Sequence, residues 1–308
     1  MRATLGAAMA HDPALLPERL GLATAWFDLP GLRMHAAVAG PPDGPLVILL
    51  HGFPEFWYSW RHQIGPLVQA GFRVVVPDQR GYNLTDKTPP FDIATLSGDV
   101  LELVRSCGRE RCFLAGHDWG AAVAWVVAAR HPERVERLAI LNVPHPAVMT
   151  RALGGRNLRQ VRRSWYIFFF QLPGLPEWSL SRKDFAHLRW LMRASSRKGT
   201  FSDEDLQRYR DAWAQPGALA ASIGWYRALG RSMLARGRRP AAGPVRVPTI
   251  ILWGERDAAL GVELAEESLA FLERGELLRY PNATHWLHEE LPGEIASRLV
   301  DHFSAPPG

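Results

Sequence analysis

The stretch Cys112-Phe113-Leu114-Ala115-Gly116-His117-Asp118-Trp119-Gly120-Ala121 decides how this chain is read. Cys112–Ala115 is a short apolar run with the character of a buried strand. Ala121–Arg130 has the length and composition of a helix. Between them, Gly116 and Gly120 stand two residues to either side of Asp118. This is the spacing of a nucleophile elbow, a tight strand-to-helix turn that lifts one side chain clear of the end of a sheet. Glycines suit such a turn because a Cβ there would strike the adjoining strand or helix. The residue presented is a carboxylate, ionised at neutral pH, which can attack an electrophilic sp³ carbon without a base. It is poorly suited to opening a peptide or a simple ester. The nucleophile's type therefore points to alkyl chemistry, on a strained epoxide or a carbon–halogen bond. The competing role for Asp118 is a plain helix N-cap.

Working outward, β-type runs recur at Ala23–Leu29, Arg33–Ala39, Leu46–Leu50, Arg73–Val76 and Arg137–Asn142, and helical spacing at Trp57–Ala70 and Leu96–Cys107. The alternation returns at Thr249–Trp253, Val262–Leu272, Glu276–Tyr280 and Ile295–Phe303. Strand–helix–strand alternation predicts an α/β fold, a mostly parallel sheet with crossover helices on its faces. From about His145 to Val247 the strand signal vanishes and Arg-rich helical segments take over, broken by Pro173, Pro176, Pro216 and Pro240. The expected organisation is a core of residues 1–144 and 248–308, interrupted by a helical lid of residues 145–247.

An elbow nucleophile needs an acid and a histidine, in the chain order nucleophile, acid, histidine. Asp257 lies just past the apolar run Ile250-Ile251-Leu252-Trp253, where sites in open parallel sheets collect, and His285 lies in the loop Asn282-Ala283-Thr284-His285-Trp286. Glu255 and His288 are the local competitors, and His288 is expected to face solvent. The segment His51-Gly52-Phe53-Pro54-Glu55 follows the strand Leu46–Leu50. The backbone N–H groups of Phe53 and Trp119 are expected to form an oxyanion hole. Pro54 is a candidate for a cis bond, and His51 reads as a structural hydrogen-bonder.

The composition excludes several classes. At 47% hydrophobic and 22% charged residues the chain is neither disordered nor fibrous. No apolar run approaches the ~18 residues of a bilayer span. Met1–His11 is too weak for a secretion signal, and Cys107 and Cys112 cannot make a disulfide framework, so a cytoplasmic location is expected. Without a phosphate loop, a Cys-x-x-Cys pair or a His-Glu-x-x-His run, no metal or organic cofactor is expected. The net charge of +5 is unevenly spread: residues 145–247 carry 19 basic and 6 acidic side chains, and the remainder 17 and 25. The basic excess lacks any stacking motif or basic module, so nucleic acid is not an expected partner.

Taken together, His51-Gly52-Phe53-Pro54-Glu55, Gly116-His117-Asp118-Trp119-Gly120, Asp257 and His285 resemble the epoxide hydrolases of the α/β-hydrolase superfamily. The longer runs Phe53–Arg61 and Pro77–Tyr82 are similar to the same family, and the likeness extends from about Ala23 to Phe303. The resemblance implies an α/β-hydrolase fold with an eight-stranded sheet and a helical lid after the sixth strand. It also implies two lid tyrosines that hold an epoxide oxygen. Ser164-Trp165-Tyr166-Ile167-Phe168-Phe169-Phe170 and Gly224-Trp225-Tyr226-Arg227 are similar to the segments that carry them, which assigns Tyr166 and Tyr226; Tyr209, between Arg208 and Arg210, is expected to be exposed. Trp119, Trp165, Phe168 and Phe169 are expected to line an apolar substrate site. The partners implied are an apolar epoxide and water, with a diol as product. A haloalkane dehalogenase on the same fold is the nearest alternative, but Phe53 stands where those enzymes often carry a halide-binding Asn. A non-catalytic ligand-binding protein on this fold is the alternative from another class.

Overall fold

A computed structural model describes residues 22–234 and 242–306. The N-terminal stretch Met1–His11, read above as lacking a secretion signal, and the predicted breaker Pro240 lie outside the described residues.

Continuous Val/Ile/Leu runs make buried strands. In chain order the chain forms β1 (Ala23–Leu29), β2 (Leu32–Ala39), β3 (Leu46–Leu50), α1 (Arg61–Gln69), β4 (Arg73–Pro77), α2 (Ile93–Ser106), β5 (Cys112–His117), α3 (Trp119–Arg130) and β6 (Val135–Leu141). After β6 the described residues form the α-helices α4 (Pro146–Arg151), α5 (Leu158–Arg163), α6 (Trp165–Phe169), α7 (Leu175–Ser195), α8 (Asp203–Trp213) and α9 (Ala218–Leu234), with a π-helical turn at Ala152–Arg156. The chain then returns as β7 (Thr249–Gly254), α10 (Glu263–Ser268), β8 (Gly275–Tyr280), α11 (Leu287–Glu290) and α12 (Pro292–Ser304). The strands form one eight-stranded sheet in the order β1-β2-β4-β3-β5-β6-β7-β8. β1 with β2, and β2 with β4, run antiparallel, and every other pair is parallel.

β3 and β7 are buried along their whole length, as parallel strands covered on both faces must be. The helices that cover the sheet carry one apolar stripe each, as in α12, where Ile295, Ala296, Leu299 and Phe303 are buried. α2 is capped by Asp92, whose carboxylate accepts the N–H groups of Ala94 and Thr95. α7 is interrupted at Arg182–Phe185, where Lys183, Asp184 and Phe185 all have positive φ.

The predicted strands are recovered within two residues at each end. Two expectations fail. Tyr209 is 0% exposed: the flanking arginines point away, and its hydroxyl donates to Glu289 Oε1 at 3.0 Å. His288 is likewise buried, its Nε2 3.2 Å from Glu55 Oε1. Both belong to the junction between α8 and the sheet. There, Arg61 bridges Glu289 at 2.6 Å and Asp205 at 3.1 Å, Tyr58 donates to Asp205 at 2.9 Å, and the Trp213 indole donates to the Pro54 carbonyl. Burial pushes the Glu289 carboxyl up to about 7 against the pull of Arg61.

The glycines of the elbow predict their own test. A Cβ on Gly120 would lie 2.2 Å from the Leu50 carbonyl oxygen, a backbone atom that cannot move aside, whereas one on Gly98, within α2, meets nothing within 4 Å. Gly120→Ala should lower the urea-unfolding stability by about 3 kcal/mol or more. Gly98→Ala should raise it by about 0.4–1 kcal/mol.

Candidate active site

Asp118 sits between the last residue of β5 and the first of α3, with φ 47° and ψ −123°. Its side chain caps no amide of α3, so the helix-cap role is not the one it plays. One carboxylate oxygen, Oδ1, accepts the Phe53 N–H at 2.7 Å, and Oδ2 lies 3.5 Å from His285 Nε2. Gly52 makes the approach possible, because a Cβ there would fall 2.2 Å from that of Asp118. The Phe53–Pro54 bond is cis. Trp119 opens α3, so its N–H is among the first-turn amides without an acceptor inside the helix.

The expected acid and base meet Asp118 in space. His285 Nδ1 donates to Asp257 Oδ2 at 2.6 Å. The other Asp257 oxygen accepts the N–H groups of Ala259 and Leu260 at 2.7 and 2.9 Å. Burial alone would raise the Asp257 pKa, but the His285 ring and these bonds hold it below the usual carboxylate range. Burial alone would lower the His285 pKa, but the carboxylates of Asp257 and Asp118 overrule it and lift the ring well above the ordinary histidine value. The competitor Glu255 pairs instead with Arg279 at 2.7 Å. His51 is a structural residue, with Nδ1 against the Gly52 carbonyl and Nε2 accepting the Gln79 N–H.

The candidate tyrosines close over this group from the helices between β6 and β7. The Tyr226 ring packs edge-on against Trp119 (5.1 Å), Phe53 (5.4 Å) and Tyr166 (5.9 Å). Burial, and then the charge of Asp118, push both phenols above the ordinary tyrosine value. Phe169 is partly buried and packs on Phe170, which in turn meets Tyr226 at 4.7 Å. Trp165 and Phe168 do not line the site: they are 61% and 49% exposed. The reason is helical spacing. Ser164, Ile167 and Phe170 take the buried face, which turns Trp165 and Phe168 to solvent.

Sequence reading missed a second layer. Asn142, at φ 51°, donates to Asp257 Oδ2 at 2.7 Å and accepts the Gly254 N–H at 2.9 Å. It thereby ties the ends of β6 and β7 to the acid. Glu55 sits between two histidines, 2.8 Å from His117 Nδ1 and 3.2 Å from His288 Nε2, and accepts the Gly52 N–H at 2.9 Å. His117 Nε2 reaches the His285 carbonyl oxygen at 2.9 Å. Both nitrogens of His117 face oxygen, so the ring pins the base's loop to the oxyanion loop. Glu55, His117 and His288 bring ligand-type atoms within 4.8 Å of one another. Those atoms already bond to each other, and the cluster reads as a buried hydrogen-bond network. Tyr82 adds a third buried phenol that feels Asp118, and its hydroxyl has no partner among the described residues.

Comparison with known proteins places the chain in a family. Residues 45–292 match the family described as alpha/beta hydrolase fold. The chain is 42% identical to the AB hydrolase superfamily protein YfhM of Bacillus subtilis, over 92% of this chain and 98% of that protein. It is 38% identical to human epoxide hydrolase 4, over 89% of this chain and 76% of that one. Its fold superposes on the crystal structure of Bacillus megaterium epoxide hydrolase in complex with an inhibitor with a TM-score of 0.82 and 28% identity, covering 91% and 100% of the two chains. The chain belongs to the epoxide hydrolase family of the α/β-hydrolase superfamily. It is a hydrolase, and its eight-stranded, mostly parallel sheet is the one the family resemblance implies.

Within this hydrolase, the Glu55 network predicts a pH signature. Burial would raise the Glu55 pKa, but the two histidines hold it well below the usual range. A depressed carboxylate stabilises the fold above its unfolded pKa of about 4.3 and loses that contribution as pH falls through the folded value. Glu55→Gln should therefore cost about 1–3 kcal/mol at pH 7. Its deficit in denaturant unfolding should persist down to about pH 5 and close only in stronger acid.

Proposed function

We propose that this chain hydrolyses an apolar epoxide to a vicinal diol through a covalent ester on Asp118. The observation that carries this reading is the pairing of an elbow carboxylate with two phenols held above it. Asp118 is a nucleophile for carbon, and Tyr166 and Tyr226 are neutral acids facing its charge. Opening an epoxide leaves an alkoxide, and a donor that gives first a hydrogen bond and then a proton lowers that barrier. The raised pKa values of both phenols keep the proton in place until it is needed.

In the first step Asp118 attacks a ring carbon, the C–O bond breaks, and a tyrosine proton passes to the oxygen. In the second, His285 takes a proton from water, and the hydroxide attacks the Asp118 carbonyl carbon. The N–H groups of Phe53 and Trp119 receive the resulting oxyanion. Its collapse breaks the ester C–O bond, and the leaving diol oxygen takes the proton that His285 removed from water. The proton left on the Asp118 carboxyl returns to the tyrosinate. Alkylation neutralises Asp118, one of the two carboxylates that lift His285. The ring then falls toward the range in which it can accept a proton, so the first step prepares the base for the second. Asp257 orients the ring and stabilises its charge. This reading divides the chain into a catalytic core of residues 1–144 and 248–308 and a lid of residues 145–247. It requires no metal or cofactor, and the free cysteines Cys107 and Cys112 suit a cytoplasmic setting. The Phe53 ring packs against Phe170 and Tyr226 and offers no donor to a halide, which favours epoxides over haloalkanes.

Four measurements test this. A single turnover in ¹⁸O-water should place label in the Asp118 carboxylate; label confined to the diol overturns the ester. His285→Gln should accumulate an enzyme heavier by one substrate mass, with hydrolysis slowed about 10²–10⁴-fold. In the wild type, ester hydrolysis should slow as pH falls, because His285 must be neutral to accept a proton. Tyr166→Phe combined with Tyr226→Phe should abolish alkylation; an unchanged rate removes the phenols from the reaction.

A further inference from the structure

The helix that brings Tyr166 to the site turns its other face to solvent. Along residues 158–183 the exposed large apolar side chains are Leu158, Trp165, Phe168, Leu172, Leu175 and Trp178, the last 57% exposed. A folded surface seldom gathers so many without a partner. The turn between α6 and α7 holds several of them together: one guanidinium, that of Arg227, donates to the Phe170 and Leu172 carbonyls and to Glu177.

The charge of this stretch is predominantly basic. The same 26-residue stretch contains Arg159, Arg162, Arg163, Arg182 and Lys183 against a single acid, Glu177, which Arg227 neutralises. Among the described residues none of those five cations has an acidic partner, and Arg182 lies over the Trp178 ring at 4.5 Å. Indole and aliphatic groups ringed by unpaired arginines suit the boundary between lipid headgroups and acyl chains. Nucleic acid would need stacking or base-reading groups in a groove, and a second copy of this face would repel the first.

We propose that this face of the helices between β6 and β7 docks on an anionic lipid bilayer. Trp165, Phe168, Leu172, Leu175 and Trp178 enter the interface, and the arginines meet headgroup phosphates. No helix among the described residues is long and apolar enough to cross a membrane, so the contact is peripheral. Docking would place α6, and the site beneath it, against the phase in which apolar epoxides dissolve. That route to substrate rests on the function proposed above, whereas the docking itself does not.

Flotation of the full chain with vesicles tests it. Vesicles with about a third phosphatidylglycerol should retain at least ~10-fold more protein than pure phosphatidylcholine, and salt at about 0.5 M should reverse most of this. Leu175→Ser with Trp178→Ser, and separately Arg162→Glu with Arg163→Glu, should each cut retention at least ~5-fold. Both variants should keep the wild-type circular dichroism and the wild-type rate on a water-soluble epoxide. No flotation, equal retention on both vesicle types, or retention unchanged in both variants overturns the proposal. So does equal affinity for duplex DNA, or a dimer in sedimentation that Trp178→Ser dissolves. A chain that floats but opens no epoxide would leave the docking standing and sink the proposed reaction instead.

Discussion

Asp118 occupies a backbone conformation, φ 47° and ψ −123°, that costs a non-glycine residue of order 1–3 kcal/mol. The surrounding structure holds it there from three sides, and each side is a glycine. Gly116 lets β5 pass within reach of the α3 backbone, Gly120 lets α3 rest on the Leu50 carbonyl, and Gly52 lets the next loop close on the Asp118 side chain itself. With the turn so fixed, the carboxylate cannot fold back to cap its helix. It must point over the sheet's end, where β3, β5, β6 and β7 all deliver their following loops. The position of every other group in the site depends on that turn.

Two aspartates of the same intrinsic chemistry are separated here by their hydrogen bonds. Asp257 is saturated: Ala259, Leu260, Asn142 and His285 all donate to it. Such a carboxylate is fixed, strongly acidic and without a free lone pair to offer. Asp118 has one close donor, the Phe53 N–H at 2.7 Å, and its second oxygen stands 3.5 Å from the imidazole, beyond a good hydrogen bond. The less satisfied carboxylate is the better nucleophile, and the saturated one the better orienter. The assignment that chain order suggested therefore has an independent electrostatic basis.

Much of this was legible in the sequence because the signals are local. The elbow announces itself in five consecutive residues, and the strands of a buried parallel sheet read as unbroken apolar runs. What escaped reading depends on packing across distant segments. Tyr209, flanked by two arginines, looks like a surface residue, yet its side chain drops into a junction built by Arg61 and Glu289, each about 80 or more residues away. His288 is one turn beyond the base and meets Glu55, 233 positions earlier. Asn142 gave no signal: it read as the last residue of the strand Arg137–Asn142, and its role appears only once β7 lies beside it. Trp165 and Phe168 were misplaced for a different reason. In an aromatic run nearly every residue is apolar, so composition cannot say which face is inward, and only the buried positions Ser164, Ile167 and Phe170 fix the phase.

The uneven charge follows from the same burial. Several acids of the sheet-bearing part are consumed internally: Asp78 against His35, Asp99 against Arg80, Glu289 against Arg61, and Glu55 between its histidines. Asp99 and Glu289, paired with arginines, contribute little to the outer field. Among the described residues Arg159, Arg162, Arg163 and Arg182 have no such partners, so a modest formal charge for the chain leaves this stretch strongly basic. A sequence-wide average conceals this because it counts a buried, paired carboxylate and an exposed guanidinium equally. The asymmetry is therefore a property of the fold: the sheet-bearing part buries several carboxylates against partners, whereas residues 158–183 keep five cations for which the described residues supply no acidic partner.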